Sequence, residues 1–460
     1  MKMRLPHTFV LIFGIIVCVA ILTYIVPAGQ FEWIEDPESG TEVIDADSYE
    51  RVEQSPVPFT DIFTSIPKGM GEAGWIIFLI FIIGGSFGII NRTGAIEAGI
   101  SKLVLSLRNR EKLLIPVTLL IFSLGGATFG MAESTLIFIP MGVVLARSLK
   151  MDAITGMAMV FMGAMAGFSA GFLNPFTVGV AQSIAGLPLF SGIVLRIIIQ
   201  IILVAIASWY IISYAQKVKR DPKKSLVYDL EVEEQSSDES FEVEFTTRHK
   251  LVILTIISGF GTIIYGVTQG WSTSTDLAAI FLAIGIVSGL IGGTSPNQIA
   301  EDFIEGAKEL TYGALIVGLA RAIVVVLQDG NIIDTVIHGA AQLLTWLPSY
   351  LSATGMYLFQ VFLNFFIPSG SGQAATTIPI MAPLGDLIGI SRQSVVLAYQ
   401  LGDGFTNAIF PTSAILMAGL SIAKIPYNKW VRWVLPLMLC WIVVGMLMMI
   451  ISVLIGYGPF

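Results

Sequence analysis

The sequence predicts an all-α membrane protein of two inverted-topology repeats, each with a re-entrant helical hairpin and a broken transmembrane helix. Three observations predict it: an apolar composition, the placement of Lys and Arg between apolar runs, and a set of motifs that occurs twice. Of 460 residues, 55% are hydrophobic and 13% charged, against about 25% charged in soluble domains. Mean hydropathy is +0.81. Apolar runs near the ~18–20 residues needed to cross a hydrocarbon core recur along the chain, which excludes a soluble enzyme. The net charge of −8 sits mostly in two polar loops, and no basic stripe points to nucleic acid.

The first repeat, residues 1–220, reads as spans 8–27 and 74–91, a hairpin over 113–149, and spans 152–182 and 192–216, with an external loop over 28–73. Met1-Lys2-Met3-Arg4 before an apolar stretch imitates a signal peptide. Its core exceeds the usual ~7–15 residues and no A-x-A site follows, so retention as the first span is expected. A cytoplasmic linker, residues 221–250, comes next, and its acids Glu231, Glu233, Glu234, Asp238 and Glu239 predict poor order. The second repeat, residues 251–460, reads as spans 251–270, 277–294 and 311–327, a hairpin over 349–390, and spans 393–422 and 431–456.

Each hairpin joins two helix-length pieces at a knot of small residues, Gly125-Gly126-Ala127-Thr128-Phe129-Gly130 in one and Ser369-Gly370-Ser371-Gly372 in the other. Arg108, Arg110 and Lys112 precede the first and Arg147 and Lys150 follow it, so the positive-inside rule puts both its ends in the cytoplasm. The stretch from Gln328 to Gln360 lacks Lys and Arg, which suits a second hairpin opening outward. The same rule places the N-terminus in the cytoplasm and the C-terminus outside a bacterial inner membrane.

The motifs recur in matching order. Ile89-Ile90-Asn91-Arg92-Thr93-Gly94-Ala95-Ile96 resembles Val326-Leu327-Gln328-Asp329-Gly330-Asn331-Ile332, and Gly167-Phe168-Ser169-Ala170-Gly171-Phe172-Leu173-Asn174-Pro175-Phe176-Thr177 parallels Gly404-Phe405-Thr406-Asn407-Ala408-Ile409-Phe410-Pro411-Thr412-Ser413 inside a long span. The extra span at 251–270 inverts the second copy. A broken helix leaves N–H and C=O groups unpaired at membrane depth, tolerable only where protein, water, ion or substrate satisfies them. Helix N-termini exposed there also favour anions.

An ionisable side chain inside a membrane is costly unless paired or wet, and so is a functional candidate. Glu133 lies at the first hairpin tip beside Ser134 and Thr135, Asp403 at the break of span 393–422, and Arg321 near the middle of span 311–327. In one reading Arg321 pairs with Asp403 or Glu133 and pins the fold. In another the three grip a zwitterion, Arg321 taking a carboxylate and the acids an ammonium or guanidinium; ion or proton coupling by the acids is a third. Asn174, Thr177, Asn407, Thr412, Ser413, Ser369, Ser371, Gln373, Thr376 and Thr377 supply neutral polar groups at the breaks, as ligand contacts or as helix caps. Loop carbonyls near Asn174 and Asn407 suit Na⁺. No cofactor is expected, and Na⁺ or H⁺ coupling stays open. Cys18 and Cys440 read as buried small hydrophobes. His7, His249 and His338 read as interfacial, and the run Met157 to Met165 as helix packing.

Phe366-Ile367-Pro368-Ser369-Gly370-Ser371-Gly372-Gln373-Ala374-Ala375-Thr376-Thr377, with Leu401-Gly402-Asp403-Gly404-Phe405 and Ile409-Phe410-Pro411-Thr412-Ser413, resembles the YfcC family of basic amino acid antiporters over nearly the whole chain. That family is related to the anaerobic C4-dicarboxylate carriers of the ion-transporter superfamily. The resemblance implies a scaffold domain for homodimerisation, a transport domain bearing both hairpins, elevator-type alternating access, and arginine/ornithine exchange. Glu133-Ser134-Thr135 stands where dicarboxylate carriers have Ser-Asn-Thr, which favours a cationic substrate. The rivals are a dicarboxylate carrier of the same fold, a channel, and an intramembrane aspartyl protease using Asp403. The last is weakened because Gln400-Leu401-Gly402-Asp403 lacks the first glycine of G-x-G-D.

Overall fold

The computed structural model describes residues 8–35, 42–45, 47–106, 111–231, 244–268, 275–344 and 346–458. Lys2, Arg4, His7, Arg108, Arg110, Glu233, Glu234, Asp238 and Glu239, which entered the reading of topology and linker, lie outside the described residues. Among those described, six helices are long and apolar enough to cross a membrane, and two shorter apolar helices accompany them. The chain is a multi-pass membrane protein.

In chain order, α1 (Thr8–Leu22) leads to strands β1 (Gly29–Gln30), β2 (Trp33–Glu35), β3 (Glu42–Ile44) and β4 (Glu50–Arg51), paired antiparallel as β1 with β4 and β2 with β3. Next come α2 (Phe59–Glu72), α3 (Gly74–Arg92), α4 (Ala95–Ser106), and α5 (Glu111–Phe129) with α6 (Ile139–Ser148), the last two flanking a 3₁₀ turn at Glu133–Phe138. A π-turn at Pro175–Gly179 separates α7 (Ala153–Ala170) from α8 (Val180–Ile184), and α9 (Ile193–Arg220) and α10 (Tyr228–Glu231) end the first half. The second half runs α11 (Thr247–Thr268), α12 (Thr275–Gly292), α13 (Pro296–Glu309), α14 (Thr311–Asp329), α15 (Ile333–Leu344), α16 (Ser349–Leu363), α17 (Gly370–Leu387), α18 (Arg392–Thr406), α19 (Ala414–Ile422) and α20 (Tyr427–Leu454). From α2 to α9 and again from α13 to α20 the order is the same: amphipathic helix, span, short helix, two helices meeting at a tip, a helix with a break, and a final span.

Spans in lipid gain little hydrophobic energy from touching, so their contact relies on small residues that let backbones approach. Helix α2 packs on α14 and α13 packs on α3, each crossing at a glycine. A Cβ on Gly69 would sit 2.5 Å from the Ala322 nitrogen, and one on Gly306 would sit 2.4 Å from the Gly84 carbonyl oxygen. Ion pairs Lys68–Asp329 (2.9 Å) and Arg321–Glu72 (2.7 Å) flank the first crossing, and Arg92–Asp302 (3.9 Å) the second. The sequence predicts a loop over 28–73 and no span over 295–310. Both segments are half polar, which hides them from a search for apolar runs, although Ile62, Ser65 and Gly69 line one buried face of α2.

Helix α7 is buried at every residue, enclosed by α5, α6, α9 and α18. Its packing on α5 is close enough that a Cβ on Gly167 would lie 1.7 Å from the Ser123 carbonyl oxygen. In the second half α16 and α17 pack on α18 in the same manner. Met157, Met159, Met162 and Met165 fill this core.

The outer ribbons dock on α15. Phe31 N–H donates to Asp334 Oδ2 (3.0 Å), Thr335 Oγ1 donates to the Pro27 carbonyl (2.8 Å), and Tyr49 stacks on His338 at 4.0 Å. Burial raises the Asp334 carboxyl above the usual carboxylate range, opposed in part by the Phe31 N–H. His249 Nδ1 accepts from Thr246 N–H at the start of α11. Cys18 and Cys440 are exposed on the outer faces of their helices rather than buried, as expected where the surrounding medium is lipid.

The linker also departs from expectation in its first part. Asp152 is buried and accepts from Thr155 N–H (2.9 Å), Thr155 Oγ1 (2.8 Å), Tyr214 Oη (2.6 Å) and Ser225 Oγ (2.8 Å), and Leu226 N–H donates to Tyr214 Oη (3.2 Å), so the linker at Ser225 and Leu226 is tied to α7 and α9 instead of loose. Asp152→Ala is expected to lower stability by about 2–4 kcal/mol, since it strands donors that now reach a charged acceptor. Thermal unfolding in detergent, with limited proteolysis after Lys223 and Lys224, measures the loss; unchanged cleavage would contradict it.

Candidate functional site

Two interrupted helices and two hairpin tips converge. Helix α7 ends at Gly171, whose φ of +54° suits a residue without Cβ. Asn174 then caps the π-turn, its Oδ1 accepting from Phe176 N–H (2.9 Å), and Pro175 occupies the first position, where no N–H is needed. The first tip lies against this cap: Gly130, at φ +60°, would place a Cβ 3.1 Å from Asn174 Oδ1. In the second half α18 stops at Thr406 and Ser413 caps α19 by accepting from Leu416 N–H (3.4 Å). Ser369 caps α17 at the second tip, accepting from Gly372 N–H (3.4 Å).

The second tip meets both breaks. A Cβ on Gly370 would lie 2.6 Å from Thr177 Cγ2, 3.2 Å from Asp403 Oδ2 and 3.4 Å from Tyr399 Oη. Tyr399 Oη donates to the Gly370 carbonyl (2.7 Å) and so fixes the tip on α18. Asp403 is fully buried; Oδ1 accepts from Asn407 Nδ2 (3.3 Å), and Oδ2 has no hydrogen-bond partner. Asn364 Nδ2 reaches the Asp403 carbonyl (3.0 Å), Thr406 Oγ1 (2.8 Å) and Asn407 Oδ1 (2.9 Å), one more acceptor than its two hydrogens serve. The oxygens Asp403 Oδ2, Thr177 Oγ1, Asn364 Oδ1, Gln373 Oε1 and Gln400 Oε1 are buried without a donor. Buried polar atoms nearly always have partners; Asp403 and Thr177 meet at Gly370 and Asn364 reaches the Asp403 carbonyl, and acceptors so placed are chemically suited to a cation.

Asp403, Asn407, Thr177 and the Ser369–Gly370 tip are therefore brought together. The remaining candidates divide. Gln373 Nε2 donates to Gln360 Oε1 (2.7 Å), Thr376 Oγ1 to the Gly372 carbonyl (2.7 Å), and Thr377 Oγ1 to the Gln373 carbonyl (2.9 Å), which are contacts within the second hairpin. Ser371 faces Gly313 of α14, and Thr412 Oγ1 is buried without a partner. At the first tip Glu133 is exposed, Ser134 is half-buried, and Thr135 Oγ1 donates to the Ala132 carbonyl.

Arg321 pairs with neither Asp403 nor Glu133. Its partner is Glu72 of α2, and it lines a separate cavity of ≈ 880 Å³ with Asp334, Gln328, Asn331 and Arg392, between β1, α14 and α15 on one side and α8 and α17 on the other. Arg392 itself is bound to Asp386 (2.7 Å) and to the Ala185 carbonyl (3.0 Å). The pairing of Arg321 with Asp403 or Glu133, one of the readings open from sequence, does not form, and Arg321 is engaged instead by Glu72 on α2, a helix hidden from a search for apolar runs.

Three residues escaped that reading. Asn364 and Tyr399 are polar groups of ordinary helices until the fold sets them beside Asp403. Arg196 had a signal: it is a charge four residues into an apolar run. It is fully buried in α9, and its Nε, Nη1 and Nη2 have no hydrogen-bond partner.

Known proteins agree with this architecture. Residues 5–454 match the family model "DcuC: C4-dicarboxylate anaerobic carrier". "Putative basic amino acid antiporter YfcC" of Escherichia coli (strain K12) is 35% identical, over 94% of this chain and 93% of that protein. A Haemophilus influenzae protein named only as uncharacterized is 34% identical, over 88% of this chain and 81% of that one. The YdaH transporter of Alcanivorax borkumensis, in a crystal structure described as having an unusual topology, superposes with a TM-score of 0.71 at 17% identity, covering 99% of this chain and 100% of that one. MtrF of Neisseria gonorrhoeae, described among antimetabolite efflux pumps, gives 0.70 at 18% identity, covering 98% and 95%. The buried, interrupted-helix core and the near full-length matches lead to one assignment: the chain is a secondary transporter, not an enzyme, and belongs to the DcuC family together with its relative YfcC.

Proposed function

We propose that this transporter carries a basic amino acid such as arginine or ornithine, by exchange or by coupling to an ion gradient. The observation that carries the reading is Asp403, a buried carboxylate with one oxygen unpartnered among further unpartnered oxygens. A guanidinium or ammonium supplies the donors that such a group lacks. The printed name of the YfcC relative supports the same class. Na⁺ near Asn174 and Asn407 or a proton on Asp403 is the coupling ion in this reading, and Glu133, Ser134 and Thr135 meet substrate from the first tip.

The twofold element order, the glycine crossings at Gly69 and Gly306, the first tip's place against the first break and the second tip's place against both support inverted repeats with re-entrant hairpins. In that arrangement the α2–α3 and α13–α14 units form a static frame, and the tips with α7 and α18 form the moving, elevator-type unit. The protein then lies in the bacterial inner membrane as a homodimer, N-terminus inside and C-terminus outside. Ser369, Ser413 and Asn174 cap the helix N-termini that border the substrate in this reading.

Counterflow decides the substrate. Proteoliposomes loaded with unlabelled arginine are expected to accumulate labelled arginine or ornithine, and not labelled succinate. Succinate counterflow without arginine counterflow would overturn the reading in favour of a C4-dicarboxylate, the substrate class in the family's description.

A further inference from the structure

The buried side-chain atoms without hydrogen-bond partners are of two opposite kinds. The acceptors cluster at Asp403, Thr177 and Asn364. Among the described residues the unpartnered N–H donors are the neutral indole groups of Trp433 and Trp441 and one charged group, the Arg196 guanidinium, which carries five N–H groups in a planar fork and stays charged in any protein environment. Arg196 is on the face of α9 that bears Leu195, Ile199, Gln200 and Leu203 and packs on α5 and α7. One turn along the same face Gln200 Nε2 donates to Ser123 Oγ (2.7 Å). The contrast is informative: the neutral amide is served by the protein and the charged guanidinium is not. Leaving a buried charge unpaired costs several kcal/mol, a cost that a purely structural arginine has no reason to carry. Tyr399, which holds the second tip, lies within electrostatic reach of both Asp403 and Arg196.

We propose that Arg196 anchors the carboxylate of the transported molecule while its cationic end faces Asp403. This inference rests on the substrate class proposed above and adds the residue that recognises the anionic end, the part given to Arg321 by sequence alone. The ligand class with one group for each is an amino acid that carries a positive side chain besides its carboxylate.

The test is a comparison of two ligands on purified protein, arginine and agmatine, which is arginine without its carboxylate. Wild type is expected to bind arginine better than agmatine. Arg196→Gln is expected to weaken arginine by about 10–100-fold, as for loss of a charge-assisted hydrogen-bonded pair, and to leave agmatine unchanged, so that the preference collapses. Equal weakening of both ligands, or no effect on arginine, overturns the anchor. Should Arg196→Gln fail to give a monodisperse protein, Arg196→Lys reads the same ratio, because lysine keeps the charge and loses the fork. Wild type that binds succinate and not arginine, with succinate lost in Arg196→Gln, removes the basic amino acid reading and upholds the anchor. Wild type indifferent to every carboxylate tested overturns both.

Discussion

Asp403→Asn is expected to reduce arginine uptake about 100-fold or more while the protein still purifies as a folded species. The substitution keeps shape and the Asn407 contact but replaces a charged acceptor by a neutral amide, half of which is a donor. Facing Thr177, Gly370 and Tyr399, that added N–H meets a guanidinium as a second donor. Truncating one member of a buried charge pair costs about 2–5 kcal/mol, which at 1.4 kcal/mol per decade spans roughly 30- to several-thousand-fold. Initial rates in proteoliposomes, with the thermal midpoint recorded in parallel, separate transport from folding. Retained uptake in Asp403→Asn would leave the proposed cation site without its charge.

The second large effect concerns assembly. Gly167→Ala places a methyl group 1.7 Å from the Ser123 carbonyl oxygen, a backbone atom that cannot rotate away. Helices α5 and α7 must separate, and the cost is expected to reach about 3 kcal/mol or more. Gly261→Ala in α11 is the control, because nothing lies within 4 Å of its Cβ position; there the added methyl favours the helix by about 0.5–1 kcal/mol. Thermal midpoints should therefore move in opposite directions for the same chemical change. If they move together, the close approach of α5 and α7 is wrong.

The contrast between legible and illegible parts follows from range. Breaks were readable because Gly171, Asn174, Pro175, Pro411 and Ser413 act on their own backbone, through φ, missing N–H groups or caps within three residues. Spans were readable because lipid demands long apolar runs. Helices α2 and α13 were not, since their partners are single faces of α14 and α3 and their composition is that of a loop. The partner of Arg321 was hidden for the same reason, as Glu72 sits 249 residues away. Arg196 was legible in principle, for the rule that flagged Arg321 applies equally to a charge in span 192–216. The linker's anchoring at Asp152 depends on Tyr214 and Ser225 arriving from 62 and 73 residues off, a coincidence that no local pattern announces.

Because α7 buries every side chain, it meets no acyl chains, whereas the rims of α12 and α20 do, with Val287, Leu290, Leu439 and Leu447 exposed. A thicker or thinner bilayer strains the helices it wets, at fractions of a kcal/mol per ångström. The core that holds Asp403 is thus insulated from lipid composition, and any sensitivity of the carrier to its host membrane has to enter through the peripheral spans.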